Sequence, residues 1–435
     1  MMFENNSKPL SSSSPTSALS SATCARVKIS SKMPFIPSST DLCNGYMRPS
    51  IIDLSRTENF LLRDELADIV KTAKTHDSQH HFSSRDDAGE SRLLLECLAR
   101  LFNNYFNPCI PVSRSHIATA PGAAGCLDAL LYNICNAGDG VLIPGPQWGD
   151  SDIEMNYSYP DVKTVTVNTN ACGTAHHFLR VLNDAIDSAP CKVKALVLRN
   201  MSSSFGECYP QEFLEVALKF CQQRRIHFIS DEVYALTSFS CAEISDPVPF
   251  VSALALNARA LGCDLSRIHT IWSISKDFGA TGVQVGCTVS QGNKELIRGL
   301  INTPNSRITP ASLAFATSLL SSPRLPILIA LNSAGLAECY MLITSFFVRH
   351  DIKYIPVNAG LSIFARLAPN ARSRDEEMEI VQHLKNAGVV VNNAGGSFHK
   401  TFKEKGWVRM SFSVEPNQLH EALGRIELAL GLGLR

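Results

Sequence analysis

Short apolar runs alternate with helical patterns through the middle of this 435-residue chain. The runs have the length of buried strands, and apolar residues recur with helical spacing in the stretches between them. Such alternation predicts an α/β fold in three layers, in which a mostly parallel sheet is covered by helices on both faces. The predicted strands span residues 140–144, 162–167, 193–198, 226–230 and 268–272.

Residues that could take part in chemistry follow the ends of several of these strands. Trp148 comes shortly after the first strand, Asn200 and Asp231 follow the third and fourth, and Lys276 follows the fifth. In open parallel sheets, ligands bind in the crevice outside the carboxyl ends of the strands. We therefore expect these four side chains to meet at one edge of the sheet and to form a ligand site.

The pattern changes toward both ends of the chain. A tail at 1–45 is rich in Ser, Pro and Thr and lacks the apolar residues needed to order it. Residues 46–95 are predicted to form an N-terminal arm and part of a small domain, and 96–325 a large domain. Residues 326–435 are predicted to contain a linking helix and a smaller α+β domain, with strands at 361–366, 389–391 and 408–412.

Composition limits the partners and the compartment. The formal net charge is zero, which gives no reason to expect a nucleic-acid partner. The 14 cysteines are scattered without a C-x-x-C pair or a metal-ligand cluster, so we expect reduced thiols, a cytoplasmic protein and no metal. The apolar stretch 326–348 is interrupted by Asn332, Ser333 and Glu338, which favours a buried helix over a membrane span.

Lys276 has the most informative position of any single residue. It follows Ser273 and Ser275 at the end of an apolar strand and precedes the Gly-rich stretch 279–286. Burial favours the neutral form of a lysine amine, and a neutral amine is a nucleophile. The chemistry that most needs such an amine is Schiff-base formation with pyridoxal 5′-phosphate (PLP), so we predict a PLP site here.

A second stretch suits the phosphate of such a cofactor. Residues 120–125 read Ala-Pro-Gly-Ala-Ala-Gly and open a predicted helix that runs to about residue 136. A Gly-rich helix start exposes backbone N–H groups at the positive end of the helix dipole. Gly122, Ala123 and Ala124 are therefore predicted to bind the phosphate.

Several short motifs are specific when they are taken together in this order. They are Thr57-Glu58-Asn59, Asp231 followed by Tyr234, the Lys276 turn, Asn-Ala-Gly-Leu at 358–361, Ser-Phe-His at 397–399 and Gly-Trp-Val-Arg at 406–409. Over residues 46–435 the chain resembles the fold-type I PLP-dependent enzymes of the class I/II aminotransferase family. Within that family it most resembles 1-aminocyclopropane-1-carboxylate (ACC) synthase and its fungal relatives.

The resemblance implies a role for each residue around the cofactor ring. Lys276 would hold the cofactor as a Schiff base and then act as general base at the substrate Cα. Asp231 would pair with the ring nitrogen and keep it protonated, which makes the ring an electron sink. Tyr234 would donate a hydrogen bond to the phenolic oxygen, and Trp148 would stack on the ring.

Three further residues are expected to face a substrate of amino-acid type. Arg409 would bind the α-carboxylate in a bidentate pair, which lysine forms less well. Glu58 resembles the ACC-synthase glutamate that faces the amino-acid part of the substrate, and helix capping is an equal alternative for it. Asn200 begins the stretch that corresponds to the family motif N-P-x-N-P-x-G and is assigned to the substrate site.

The chain departs from the family where the family anchors the cofactor. Gln284 stands where an arginine binds the phosphate, and Ala123 and Ala124 stand where serine or threonine is usual. Ser84 replaces a tyrosine that reaches across the dimer, and Ser203 replaces an asparagine that contacts the ring oxygen. Each charge-assisted pair that is lost costs about 1.5–3 kcal/mol of binding free energy.

Other groups could restore part of the phosphate binding. Ser273, Ser275 and the helix-start amides remain, and Arg85 lies close in sequence to the altered tyrosine position. The residues that do the chemistry are kept while the anchoring residues are changed. We therefore expect a specialised enzyme with an altered substrate or a weaker hold on its cofactor, with an inactive paralogue as the alternative.

These residues are compatible with three different functions. An aminotransferase would convert an amino acid to its keto acid. A lyase would expel a β or γ substituent, as ACC synthase does or as a carbon–sulfur lyase of fungal secondary metabolism would. A non-catalytic binding or scaffold protein would take up no cofactor. In this fold each active site borrows residues from its neighbour, so the resemblance also implies a homodimer.

Overall fold

The structure is a computed structural model that describes residues 51–72, 92–145, 161–169, 172–201, 206–304, 306–393 and 404–434. Within it, Pro49–Arg435 form one compact unit. The predicted tail at 1–45, the motif at 397–399 and the residues Ser84, Arg85, Trp148 and Ser203 lie outside the described residues.

A mostly parallel sheet lies at the centre of the fold. The first eight strands in chain order are β1 (Ile52–Asp53), β2 (Ile117–Ala120), β3 (Gly140–Gly145), β4 (Lys163–Asn168), β5 (Val193–Arg199), β6 (His227–Asp231), β7 (Ile268–Ser273) and β8 (Gly286–Val289). Among the described residues, seven of them form the sheet in the order β2-β8-β7-β6-β5-β3-β4. Neighbours from β4 through β7 are parallel, whereas β8 runs antiparallel to β7 and β2.

Helices cover both faces of this sheet. The described α-helices are α1 (Arg63–Thr72), α2 (Arg92–Tyr105), α3 (Gly122–Ile134), α4 (Ala175–Asp187), α5 (Gln211–Arg224), α6 (Ile274–Asp277), α7 (Lys294–Ile301), α8 (Pro310–Ser321), α9 (Leu325–Arg349), α10 (Arg374–Asn386) and α11 (Pro416–Ala429). Helices α3 and α7 pack with Val141 and Ile229 on one face, while α4 and α5 pack with Leu142 and Phe228 on the other. Successive strand residues therefore enter opposite cores, as the pleat requires. The predicted three-layer α/β fold is confirmed.

The C-terminal part has its own small sheets. Its strands are β9 (Ser362–Arg366), β10 (Val389–Val390), β11 (Asn392–Asn393) and β12 (Trp407–Ser411). Strand β12 lies between β11 and β9 and is antiparallel to both, and β10 pairs in parallel with β1. This last pairing joins residues 52–53 to the C-terminal part, while the predicted domain boundaries themselves stay predictions.

Helix α9 is long and apolar enough to cross a membrane by length and composition alone. Its polar residue Asn332 is nevertheless buried and accepts a 2.7 Å hydrogen bond from Asn59 Nδ2. Leu336, Tyr340 and Phe347 on the same helix are buried in the core that also holds the small sheets. One side of α9 is therefore packed in the core, while Leu331 and Met341 on the same helix are exposed.

Candidate active site

The strand order places Asp231, Ser273 and the start of helix α3 at the same edge of the sheet. Arg199 is in register with Asp231 on the neighbouring strand, and Ser273 is in register with Gly286. Gly286 is in turn in register with Ala120, just before helix α3. Neighbouring strands are about 4.8 Å apart, so the carboxylate, the lysine turn and the helix start follow one another along this edge.

Lys276 lies in the short helix α6 and is half-buried. Its Nζ donates a 2.5 Å hydrogen bond to the backbone carbonyl of Thr57, a residue 219 positions earlier in the chain. Ser273 is buried at the start of this helix, and Ser275 is half-buried beside the lysine. The lysine therefore leaves the strand end in a helical turn rather than in an open loop.

Asp277, the residue after Lys276, holds the lysine turn in place through its hydrogen bonds. This fully buried carboxylate accepts hydrogen bonds from Trp272 Nε1 at 2.7 Å and from the backbone N–H of Leu236 at 3.1 Å. Burial raises the pKa of Asp277 to about 8, although both hydrogen bonds act in the opposite direction. Because Leu236 belongs to the loop after Asp231, the two halves of the site are joined through this carboxylate.

Asp231 is the last residue of β6 and is mostly buried, with 11% of its side chain exposed. Its Oδ2 lies 3.3 Å from Nε of Arg199. The next residue, Glu232, is fully buried and accepts hydrogen bonds from Ser252 Oγ at 2.6 Å and from the Ala253 N–H at 2.7 Å. These bonds fix the backbone on which Asp231 stands, and burial raises the pKa of Glu232 to about 7.

Tyr234 and Asn200 are both buried, and the Asn200 N–H donates to the Asp231 carbonyl at 2.9 Å. The carbonyl of Tyr234 accepts a 2.7 Å hydrogen bond from Thr237 Oγ1, which tightens the turn after β6. Asn200 Nδ2 donates to the Val251 carbonyl at 2.7 Å, and its Oδ1 accepts from the Tyr209 N–H at 3.3 Å. Its amide thus holds two loops together, and the assignment of Asn200 to the substrate site stays a prediction.

The phosphate end predicted from the sequence is built on helix α3. Gly122 has a φ of +70°, and a Cβ built on it would meet no atom within 4 Å. The preceding Pro121 provides no side-chain cap for the first amides of α3, and Ala123 is half-buried and Ala124 exposed. Gln284 is exposed in the left-handed conformation with a φ of +53°.

The segment 55–59 contacts both the lysine turn and the C-terminal part of the chain. Arg409, which is 8% exposed on β12, donates from Nη2 to the Ser55 carbonyl at 3.4 Å. Ser413 Oγ donates to the Glu58 carbonyl at 2.7 Å, so the Glu58 backbone is held against the small sheet. The Glu58 carboxylate is partly exposed and lies 3.9 Å from Nη1 of Arg56.

A family model described as aminotransferase class I and II matches residues 49–426. The chain belongs to the class I and II aminotransferase family. Enzymes of this family depend on PLP, so the family, the enzyme class and the cofactor predicted from the sequence are confirmed.

Individual relatives of this aminotransferase-family chain are found in fungi and in animals. The probable aminotransferase aclI of Aspergillus oryzae is 41% identical over 388 residues, which are 88% of this chain and 92% of that protein. The trimodular acetylaranotin synthesis protein ataIMG of Aspergillus terreus is 41% identical over 212 residues, 49% of this chain and 24% of that protein. ACC synthase-like protein 1 of Mus musculus is 26% identical over 399 residues, 87% of this chain and 76% of that protein.

A solved structure shows the same fold. A mutant aspartate aminotransferase of Thermus thermophilus superimposes with a TM-score of 0.68 at 18% identity, covering 97% of this chain and all of that chain.

The resemblance to ACC synthase is also present, at a lower sequence identity than the resemblance to the fungal protein aclI.

The donor groups in the described part of the site fit PLP. Lys276 offers the amine that an aldehyde cofactor needs, and Asp231 offers a carboxylate at the next strand end for a protonated ring nitrogen. The start of α3 offers backbone amides and open space at Gly122 for the phosphate. An amine, a carboxylate and an anion site in this order are the three attachments that the cofactor requires.

Three residues of the site were missed by the sequence reasoning. Asp277 adjoins the lysine but was passed over, although a carboxylate next to an apolar strand end could have been singled out. Asn59 was noted only as part of a motif, yet its Nδ2 donates to the Lys276 carbonyl at 3.1 Å as well as to Asn332. Arg199 gave no sign in the sequence, because its role appears only when β5 and β6 are placed side by side.

Gly279 is a position where segment 55–59 comes close to the backbone of the lysine turn. Its φ is +74°, and a Cβ there would overlap the Asn59 carbonyl. We expect Gly279→Ala to lower the free energy of unfolding by about 1–3 kcal/mol through overpacking. Affinity for PLP should also fall, because segment 55–59 is pushed away from Lys276. Urea unfolding and absorbance titration with PLP measure the two effects.

Gly282→Ala is the matched control on the same turn. Gly282 is exposed, and a Cβ there meets nothing within 4 Å. This variant should stay within about 0.5 kcal/mol of the wild type. Equal behaviour of the two variants would contradict the close crossing.

Proposed function

We propose that this PLP-dependent enzyme is an aminotransferase that acts on an α-amino acid or a close derivative in specialised metabolism. The observation that carries the proposal is the shared contact of two functional side chains with one segment. Lys276 Nζ binds the Thr57 carbonyl and Arg409 Nη2 binds the Ser55 carbonyl. Two residues of chain span at most about 7 Å, so the amine and the guanidinium face neighbouring points.

An α-amino acid has its carboxylate directly bonded to the Cα, so its recognition group and its reacting carbon are adjacent. Arg409 would hold the carboxylate through paired charge-assisted hydrogen bonds, which orients the Cα–H bond. Lys276 would accept the Cα proton as general base and return a proton later. When bound, PLP supplies the electron-withdrawing ring that acidifies this proton.

Support for a role in specialised metabolism comes from the relatives. One fungal relative of this chain is described as an acetylaranotin synthesis protein, and another as a probable aminotransferase. A substrate derived from an amino acid and larger than the common ones agrees with the altered positions Ser84 and Ser203. We also propose a cytoplasmic location, since none of the described cysteines is joined in a disulfide.

Elimination is the second candidate, favoured by the similarity to an ACC synthase-like protein. Proton removal by Lys276 is the first step of both reactions, so Lys276, Asp231 and Arg409 serve either. The reactions differ in their products. Transamination leaves a keto acid and converts the cofactor to pyridoxamine phosphate, whereas β-elimination releases ammonia, a keto acid and the departing group while the cofactor is regenerated.

The purified protein loaded with PLP can be tested on a panel of amino acids and S-substituted cysteines. We expect a keto acid with stoichiometric pyridoxamine phosphate in a half-reaction, and complete loss of turnover in Lys276→Ala. Ammonia together with a free thiol would replace the aminotransferase by the lyase. A protein that takes up no PLP would overturn both candidates.

Arg409→Lys tests the carboxylate contact on whichever substrate shows turnover. A lysine keeps the charge but loses the fork, so kcat/KM should fall about 10- to 100-fold, mainly through KM. Arg298→Lys is the control, because Arg298 is exposed on α7 and pairs with Glu295 at 2.6 Å. Unchanged kcat/KM in Arg409→Lys would remove Arg409 from the substrate site.

A homodimer is part of the proposal, because enzymes of this fold complete each active site with residues of a second subunit. Sedimentation equilibrium of the PLP-loaded protein should show a species of two chains at enzyme-assay concentrations. A monomer with full turnover under the same conditions would refute this part of the proposal.

A further inference from the structure

Arg199 stands beside the carboxylate that the ring nitrogen would need. It is the last residue of β5, in direct register with Asp231 at the end of the parallel strand β6. Its Nε lies 3.3 Å from Asp231 Oδ2. Side chains in register on parallel neighbours project to the same face of the sheet, so the backbone itself sets this pair.

The burial of the pair separates it from ordinary surface ion pairs. Only 24% of the Arg199 side chain and 11% of the Asp231 side chain are exposed. The pair between Arg224 and Asp187, by comparison, leaves 33% and 60% exposed. A pair with little solvent around it is weakly screened, so its charges act strongly on any group placed next to them.

The backbone on either side of Arg199 and Asp231 is also fixed. The Asn200 N–H donates to the Asp231 carbonyl at 2.9 Å, and the Glu232 N–H donates to the Ile271 carbonyl at 2.9 Å. Buried Glu232 then holds the loop that begins at Ser252. The backbone positions of Arg199 and Asp231 are therefore fixed, which keeps the guanidinium within reach of the carboxylate.

We propose that Arg199 is a positioning residue that shares the Asp231 carboxylate with the ring nitrogen of PLP and weakens the hold of that nitrogen on its proton. The role rests on the proposed function, because it needs PLP bound at Lys276. The Arg199 guanidinium lies beside Oδ2, so the carboxylate would be shared between the guanidinium and the ring nitrogen. Its fixed positive charge also opposes a second positive charge on the ring nitrogen, since like charges on neighbouring groups disfavour ionisation.

The consequence is a cofactor whose electron-withdrawing strength is set by two protein charges instead of one. A carboxylate alone favours the protonated ring, while the adjacent guanidinium offsets part of that effect. The altered phosphate anchors change how firmly the cofactor is held, whereas Arg199 changes the electronic character of its ring. These are separate adjustments of the same site.

The test uses PLP labelled with ¹⁵N in the ring, loaded into the wild type and into Arg199→Gln. The ¹⁵N chemical shift of the bound cofactor, followed as a function of pH, reports the protonation of the ring nitrogen directly. Removing the guanidinium should raise the apparent pKa of the ring nitrogen by about 1 unit or more. Superimposable ¹⁵N titrations would overturn the role of Arg199.

Two further variants keep the result interpretable. Arg199→Met retains an apolar stem without charge, so it should shift the titration in the same direction even if Arg199→Gln does not fold. Arg224→Gln removes a distant exposed arginine and should leave the titration unchanged; a shift equal to that of Arg199→Gln would assign the effect to net charge and overturn the proposal. A wild type that lacks the absorbance band of a lysine-bound cofactor would overturn the proposed function. A normal absorbance band together with unchanged ¹⁵N titrations in the Arg199 variants would overturn only this inference.

Discussion

The close crossing of segment 55–59 over the lysine turn is the contact on which the site depends. Asn59 reaches both the Lys276 carbonyl and Asn332 of helix α9, while Gly279 leaves room for the Asn59 backbone. Without this crossing, Lys276 would have no fixed direction, and the carbonyls that meet Lys276 and Arg409 would not lie side by side. Residues from the start, the middle and the end of the chain are brought together at this point.

Buried carboxyl groups hold two further turns of the site in place. Asp277 and Glu232 are fully buried, and each holds a turn next to a residue that we propose contacts the cofactor, Lys276 or Asp231. Desolvation raises the pKa of both carboxyl groups, so each accepts an energetic penalty that its hydrogen bonds partly offset. Buried carboxyl groups of this kind lower stability but fix the geometry of nearby residues, and they are typical of active sites.

Much of the fold could be predicted from the sequence, because buried strands can be recognised as short apolar runs. The predicted strand at 268–272 was observed as Ile268–Ser273, and the helix predicted at 326–348 as Leu325–Arg349. Strand β2 was missed, since Ile-Ala-Thr-Ala has small residues and no alternation. Its conformation comes from pairing with β8, a partner that local sequence does not reveal.

The candidate site was predictable to the extent that its residues follow strand ends. Lys276 and Asp231 could be found in this way. Arg199 could not, because an arginine at the end of a strand looks like an ordinary surface residue until the strand order places it beside Asp231. The contact between Asn59 and Asn332 joins residues 273 positions apart, and a short-range pattern carries no information about such a distance.

The central claim is that the Lys276 amine holds the cofactor. Reduction of the PLP-loaded protein with borohydride, followed by proteolysis and mass spectrometry, fixes the cofactor covalently to whichever amine carries it. We expect a single phosphopyridoxyl label, near one per chain, on the peptide that contains Lys276. A label spread over exposed lysines such as Lys192 and Lys219, with Lys276 unmodified, would contradict it.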